Sequence, residues 1–248
     1  NGFFRYAGKL ESLPCLVEDH VYDNINLESG NQMVSAGLNN LFGEVMWFYP
    51  TTGSSVVNRM VAYNYFDSSP QRPVWTVGTL ARTMWEDSAI FGKPHALEYD
   101  AATDTSFDVV GNTEGRTTYY EHETGTDQVK GSAVTAITAN IVSGDFDITQ
   151  RIVGNQMTGI ADFRGDGEHL MKIRRFIPDF ISQTGNTRVT LNLRNFPNDT
   201  AASSSLGPFD ISSSTQKVDT RARARAIALK VENTGSSQSW KLGTFRLD

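Results

Sequence analysis

Aromatic and β-branched residues recur in short runs along the first half of the chain, with Gly, Ser and Pro between the runs. This pattern is typical of short antiparallel strands. It predicts a hairpin around Gly8, followed by strands in three aromatic-rich segments: EVMWFYP at 44–50, NRMVAYNYFD at 58–67 and PVWTVGTLARTMW at 73–85. Similar runs continue to about residue 124, and their loose repetition predicts propeller-like antiparallel meanders.

The pattern changes twice. CLVEDHVYDNINLES, at 15–29, spaces Val17, Val21 and Ile25 for one face of a helix. Near residue 128 small residues begin to alternate, and further strands follow, including two joined over QTGNT in the segment 170–197. About five or six strands at that spacing suit a β-sandwich. We therefore expect an all-β chain, with a propeller-like meander region at 1–127 and a β-sandwich domain at 128–248.

The segment VDTRARARAIALKVE, residues 218–232, places Arg221, Arg223 and Arg225 at alternate positions. Side chains two apart on a strand share a face, so a continuous strand puts the arginines on the same face as the aliphatic residues 227, 229 and 231. Guanidinium groups about 6.6–6.8 Å apart repel one another unless carboxylates or phosphates lie opposite. We favour acids on an adjacent strand or subunit; contact with passing DNA and a merely solvated face are the alternatives.

Charge is distributed unevenly along the 248 residues. The net charge is −6, which argues against a free-standing nucleic-acid binder. Residues 1–169 hold 10 Lys and Arg against 22 Asp and Glu, whereas residues 170–248 hold 12 against 6. The acidic first segment and the basic second segment could therefore dock onto each other or onto neighbouring copies, and the basic segment could also face a polyanion. The chain holds one cysteine, so an internal disulfide is excluded, and no apolar run is long enough to cross a bilayer.

No motif makes a positive case for catalysis or for a cofactor. The four histidines form no metal-binding pair, and the acidic loop DFRGDGEH, at 162–169, lacks the spacing of a calcium loop. Nucleophile elbows and phosphate-binding glycine loops are missing from the sequence as well. Trp47, Trp75 and Trp85 are more typical of core positions, although exposed indole rings would stack on sugars.

Several segments, in this order, resemble a family of tailed-bacteriophage proteins. These are the tail hub or nozzle proteins of short-tailed phages, also called packaged-DNA stabilisation proteins, and the resemblance covers nearly the whole chain as the C-terminal portion of the family pattern. In the family RARAR reads closer to R-A-R-G-R, so Ala224 departs from it. The segments are FFRYAGKLESLPCLVEDHVYDNIN, EVMWFYP, NRMVAYNYFD, VWTVGTLARTMW, SGDFDI, RRFIPDF, TRARARAIALKVE and WKLGTFRLD.

The resemblance implies a structural virion protein located in the tail. Such proteins form a ring with copies of themselves, commonly a hexamer, and contact other tail proteins: the adaptor, the spike or fibre, and the needle. They retain the genome before infection and let it pass at ejection, so contact with viral DNA is transient, and no stable membrane insertion is implied. The pattern carries no catalytic residues and no cofactor. The family pattern also extends beyond both ends of this chain. This agrees with the sequences of the two termini, which are typical of strands.

We therefore expect a non-enzymatic assembly component. Arg221, Arg223 and Arg225 are the predicted interface residues, with Arg174 and Arg175 as weaker additions. Two alternatives stay open. One is a tail module that binds or cleaves host-surface glycans, using the three tryptophans. The other is an adhesion or scaffolding protein outside any virus.

Overall fold

The computed structural model describes residues 2–28, 33–70, 72–88, 90–100, 116–147, 151–154, 161–164, 169–196, 202 and 204–248. The described residues include 22 strands and a five-residue helix. The expected all-β class is therefore confirmed. The chain divides into two compact units, Asn1–Thr124 and Gly125–Asp248, whereas the sequence placed the boundary between residues 127 and 128.

Unit 1 is made of antiparallel sheets. Strands β3 to β6 form a four-stranded meander, β7 to β9 form a three-stranded meander, and β1 pairs with β2 in a hairpin. The elements of unit 1 are β1 (Phe3–Tyr6), β2 (Leu10–Leu13), α1 (Glu18–Tyr22), β3 (Ser35–Asn39), β4 (Glu44–Tyr49), β5 (Arg59–Ser69), β6 (Arg72–Gly78), β7 (Met84–Glu86), β8 (His95–Asp100) and β9 (Arg116–Glu121).

The four-stranded sheet of unit 1 is covered on both faces. One face contributes Met46 and Phe48 to a core that also contains Trp85 and Ala96 of the three-stranded sheet. The opposite face contributes residues to a second core with α1 and β1. Because consecutive side chains of a strand point to opposite faces, burial of both faces explains why β4 reads as one continuous apolar run. The meanders are antiparallel as expected, and a propeller arrangement of them stays a prediction.

The N-terminal segment follows the sequence only in part. The hairpin around Gly8 is confirmed, and Gly8 has a φ of 83°, a left-handed conformation that suits glycine. The helix is much shorter than the periodic segment 15–29, since only Glu18–Tyr22 is helical. Val21 is its buried residue. A short helix with one buried apolar residue is stabilised by packing rather than by its own hydrogen bonds.

Unit 2 contains two larger sheets and three two-stranded sheets. The larger sheets have the strand orders β12-β20-β17-β18 and β19-β15-β22, and the pairs are β10-β11, β13-β14 and β16-β21. Its strands are β10 (Asp127–Lys130), β11 (Ala133–Ala136), β12 (Asn140–Val142), β13 (Arg151–Gly154), β14 (Ala161–Arg164), β15 (Met171–Ile177), β16 (Phe180–Thr184), β17 (Thr187–Arg194), β18 (Ser204–Ile211), β19 (Val218–Ala224), β20 (Ala226–Asn233), β21 (Ser239–Leu242) and β22 (Arg246–Leu247).

The two larger sheets of unit 2 share one core. Ile173 and Phe176 from one sheet and Leu191 and Leu229 from the other belong to a single buried cluster. Strand β17 alternates between buried and half-buried residues along its whole length, as expected for a strand with one face on a core. The packing is that of a β-sandwich-like domain.

The prediction of two strands within 170–197 is wrong, because this segment forms three: β15, β16 and β17. Pro178 lies between β15 and β16, where its lack of an N–H group ends the ladder. Strands β16 and β17 flank QTGNT but do not pair with each other. Instead β16 pairs with β21, and β17 pairs with β18 and β20.

The expectation of one continuous strand across 218–232 is also wrong. The chain bends at Arg225, and β19 and β20 on either side belong to different sheets. In β19 the alanines face the core and the arginines face outward, whereas in β20 the aliphatic residues 227, 229 and 231 are buried. The bend therefore reverses which alternate positions point inward, so arginines and aliphatic residues do not share a face.

Candidate functional site

The outer face of β19 carries Arg221 and Arg223. Both are exposed, whereas Ala222 and Ala224 between them are buried. The small alanines let β19 lie close to the core of unit 2, and alternation then directs each arginine to solvent. The departure from the family pattern at Ala224 thus falls on a buried position of the strand.

Strand β15 adds cations to the same face. Lys172 is the register partner of Arg223, and Arg174 lies at a bulge in the pairing of β15 with β19. Both side chains are exposed. We call Lys172, Arg174, Arg221 and Arg223 the basic face. Within the described part of the chain, none of these four residues forms a salt bridge.

Like charges placed in this way repel one another. Lys172 and Arg223 are directly opposed, and such residues on antiparallel strands generally have Cβ atoms about 4.5–5.5 Å apart. Two unit charges about 6.7 Å apart on one strand repel by about 0.6 kcal/mol in water, and by more where solvent is displaced. The basic face therefore costs stability in the isolated chain, and a bound anion would relieve that cost.

Arg175 has a different environment from Arg174. Its Nε donates to Asp219 Oδ1 at 3.1 Å, and its guanidinium lies 3.8 Å from the Asp248 carboxylate. Lys217 Nζ lies 3.2 Å from the other Asp219 oxygen. The hydrogen bonds from Arg175 and then from Lys217 lower the pKa of Asp219 below its ordinary value. This end of the sheet is neutralised within the chain, so Arg175 is not part of the basic face.

Arg225 lies apart from the other two predicted arginines. It occupies the bend between β19 and β20, where its N–H donates to the Arg194 carbonyl oxygen at 3.0 Å, and its side chain is half-buried. The backbone of Arg225 is therefore held within unit 2. Of the five predicted interface arginines, the structure thus brings together Arg174, Arg221 and Arg223.

The three tryptophans proposed for sugar stacking are engaged inside unit 1. Trp85 is 8% exposed, and its indole N–H donates to the Leu38 carbonyl oxygen at 2.7 Å. Trp47 and Trp75 are half-buried and stack on each other with ring centroids 6.1 Å apart. Phe3 covers both rings, at 5.1 and 4.7 Å. Trp85 is therefore not exposed as the glycan alternative requires, and the other two rings pack mainly against aromatic neighbours.

A buried polar network joins Arg82 to three partners. Arg82 is 4% exposed; its Nε donates to His122 Nε2 at 2.9 Å and its NH1 to Glu98 Oε2 at 2.6 Å. The guanidinium also lies 4.1 Å from the centre of the Tyr120 ring. Burial, and then the charge of Arg82, lower the pKa of His122 to about 4. A neutral His122 is the acceptor that Arg82 requires, so this network ties the segment before β7 to β8 and to the residue that follows β9.

Uncompensated carboxylates surround the turn that follows β3. The Asn40 N–H donates to Asp87 Oδ2 at 2.6 Å, and Asn39 Nδ2 donates to Glu123 Oε1 at 2.8 Å. Glu44 is the register partner of Asn39, and burial followed by the nearby charge of Glu123 raises its pKa. We call Glu44, Asp87 and Glu123 the acidic turn. Over the described ranges, no Lys or Arg forms a salt bridge with any of the three.

The acidic turn was missed by sequence reasoning, because residues 44, 87 and 123 are far apart in the chain and no spacing links them. The acidic loop at 162–169 lies outside the described side chains, apart from His169. In the parts that are described, no three His, Cys, Asp or Glu side chains are placed to hold a metal ion, and no helix is long and apolar enough to cross a membrane.

Comparison of the chain with protein-family models finds no match, and comparison with curated proteins finds none either. The resemblance to phage tail hub proteins therefore stays a prediction based on the sequence segments alone.

Proposed function

We propose that the chain is a structural, non-enzymatic component of a bacteriophage tail, of the hub or nozzle type. In this proposal copies of the chain assemble into a ring, a hexamer by the resemblance, which forms part of the conduit that retains and then ejects the genome. Its further partners are the adaptor, the spike or fibre, and the needle, and its contact with DNA is transient.

The basic face is the observation that supports assembly. Four cations share one exposed surface of β15 and β19, and no acid within the described protein forms a salt bridge with them. A protein that only needed solubility would intersperse charges of both signs, whereas a surface of one sign gains free energy when an oppositely charged surface covers it. Assembly provides such a surface.

The charges of the two units support association between copies rather than tight binding of DNA. Residues 1–124 hold 7 Lys and Arg against 16 Asp and Glu, a net charge of −9, and residues 125–248 hold 15 against 12. A conduit wall that neutralised many phosphates would retain DNA with strong salt-dependent affinity and slow its exit. Arginines that serve contacts between subunits leave the passage less adhesive.

The test is assembly of a variant in which Arg174, Arg221 and Arg223 are changed to serine. We expect the unaltered chain to form rings in negative-stain images, and the variant to sediment as a smaller species at equal concentration. Rising salt should weaken the association of the unaltered chain. Arg175→Ser is the matched control, because Asp219 neutralises Arg175 within the chain. Unchanged, salt-independent assembly of the triple variant would contradict the proposal.

A further inference from the structure

Two charged surfaces of this chain lack a partner, and they have opposite signs. The basic face in unit 2 has four cations. The acidic turn in unit 1 has three carboxylates. From these surfaces we infer that the basic face of one copy binds the acidic turn of the next copy. This inference rests on the proposed assembly and names the surface that meets the basic face.

The acidic turn is prepared for such a contact by its hydrogen bonds. Asn39 is 2% exposed, and its amide holds the Glu123 carboxylate, while the backbone of Asn40 holds that of Asp87. Each of these carboxylates uses one oxygen in the bond described and keeps lone pairs for a further donor. Groups that are already fixed lose little conformational entropy when they bind.

Arginine is well suited to bind this turn. A guanidinium presents its N–H groups in a planar fork that matches a carboxylate, and such pairs are shorter and stronger than hydrogen bonds between neutral groups. Arg221 and Arg223 lie two residues apart on the same face of β19. The backbones of these two arginines are about 6.6–6.8 Å apart along the strand. Each side chain can therefore contact a different carboxylate.

The repulsion within each surface favours the same pairing. Burial, and then the neighbouring charge of Glu123, raise the pKa of Glu44, so Glu44 and Glu123 repel each other in the isolated chain. Lys172 and Arg223 are opposed in the same way across β15 and β19. Contact between the two surfaces relieves both repulsions at once, which a neutral partner would not do.

The signs of the charges also determine the type of contact. Two basic faces repel each other, and so do two acidic turns, so an isologous dimer through either surface is disfavoured. A contact between different patches is heterologous, and repetition of a heterologous contact closes a ring when the rotation permits. The inferred contact is therefore of the type that can close a ring.

The experiment uses two charge-reversed variants of the full chain, studied by sedimentation velocity at low salt. One carries Arg221→Glu and Arg223→Glu, and the other carries Asp87→Lys and Glu123→Lys. We expect each variant alone to associate about tenfold more weakly or worse, because the first variant has a basic face with no net charge and the second has an acidic turn with a net positive charge. An equimolar mixture should assemble again, since each variant supplies the surface that the other lacks.

Three controls keep the result interpretable. Arg188→Glu reverses a charge of the same type at a residue that already pairs with Asp210, and it should leave association unchanged. Asp87→Asn with Glu123→Gln keeps acceptor oxygens for Asn40 and Asn39, so weaker association of this variant cannot be attributed to loss of those bonds. A single-stranded oligonucleotide, titrated into each protein, measures whether the basic face binds nucleic acid instead.

The outcomes separate this inference from the function on which it rests. If the unaltered chain forms rings and the reversed variants form them equally well, the pairing is wrong and the assembly proposal stands. If the variants fail alone and the mixture also fails, the acidic turn is not the partner. If the arginine variant loses only oligonucleotide binding, the basic face belongs to nucleic acid. An unaltered chain that stays monomeric at all concentrations refutes both proposals.

Discussion

Acidification should destabilise unit 1 through His122. The His122 ring accepts a hydrogen bond from Arg82 Nε at 2.9 Å, and the Trp85 and His122 rings lie 4.5 Å apart. Protonation would remove the acceptor and place a second positive charge beside the guanidinium. Glu98 Oε2, at 2.6 Å from Arg82 NH1, already pairs with Arg82, and His95 lies close enough to lower the pKa of His122 further.

The sign and size of the effect follow from the pKa of His122. It is about 4 in the folded protein and 6.5 as the ordinary value for the unfolded chain. Between these values the unfolded chain binds the proton and the folded chain does not, so the free energy of unfolding falls as the pH falls from 6.5 to about 4. The difference corresponds to about 3.4 kcal/mol. Because the ring is only half-buried, solvent screening reduces this, and we expect about 1–2 kcal/mol.

The assay is urea unfolding followed by tryptophan fluorescence, at about pH 7.5 and about pH 4.5. Carboxylates also titrate in this range. The informative quantity is therefore the loss of unfolding free energy on acidification, compared between the unaltered protein and His122→Gln. Glutamine offers Arg82 an acceptor oxygen that does not titrate. We expect the variant to lose about 1–2 kcal/mol less than the unaltered protein on acidification.

The control for this experiment is His20→Gln, at an exposed histidine of α1 in the same unit. It should show the same dependence on pH as the unaltered protein. Equal losses in His122→Gln and the unaltered protein would refute the reasoning. A greater loss in the variant would do so more strongly, because it would mean that the folded protein binds the proton more tightly than the unfolded chain.

Three further substitutions test the packing inside each unit by the same urea measurement. Arg82→Met should cost about 3–5 kcal/mol, because it leaves the Glu98 carboxylate without its cation, and a loss below about 1 kcal/mol would contradict this account. Leu191→Ala, at a fully buried position of β17, should cost about 2–5 kcal/mol, whereas a small cost would indicate a loosely packed sandwich. Gly43→Ala should cost about 1–3 kcal/mol, since Gly43 has a φ of 68° and an added Cβ would lie 2.3 Å from the Phe66 ring; an unchanged midpoint would refute this.

The strands were largely predictable from the sequence because their signal is local. Aromatic and β-branched runs separated by turn residues mark β4, β5 and β6, and all three form where the pattern indicates them. The helix was overestimated for the same reason, since a 3.6-residue period was visible over 15–29 but only Glu18–Tyr22 is helical. A local pattern gives the type of element more reliably than its length, which depends on what packs against it.

The bend at Arg225 shows what the alternation of residue types alone does not predict. Alternation predicted that every second residue of 218–232 lies on the same face. The bend instead reverses which alternate residues are buried, because a shift of one residue moves every side chain to the opposite face. The segment did contain a signal. A face that changes from arginines to large aliphatic residues cannot be both solvated and buried along one straight strand. The acidic turn had no such signal, because its three carboxylates come from distant parts of the chain.

Protection of a sheet edge is a competing explanation for the basic face, and the topology argues against it. Strand β19 lies at one end of the order β19-β15-β22, and charged residues on an edge strand discourage pairing with another sheet. Edge protection would account for Arg221 and Arg223. It does not account for Arg174, because on the side of β15 away from β19 the Arg174 N–H donates to the Asp248 carbonyl oxygen at 2.6 Å, so no edge is open at this residue. A cation at a position without an open edge adds repulsion and blocks no pairing, so the placement of Arg174 is better explained by an anionic surface that covers the face.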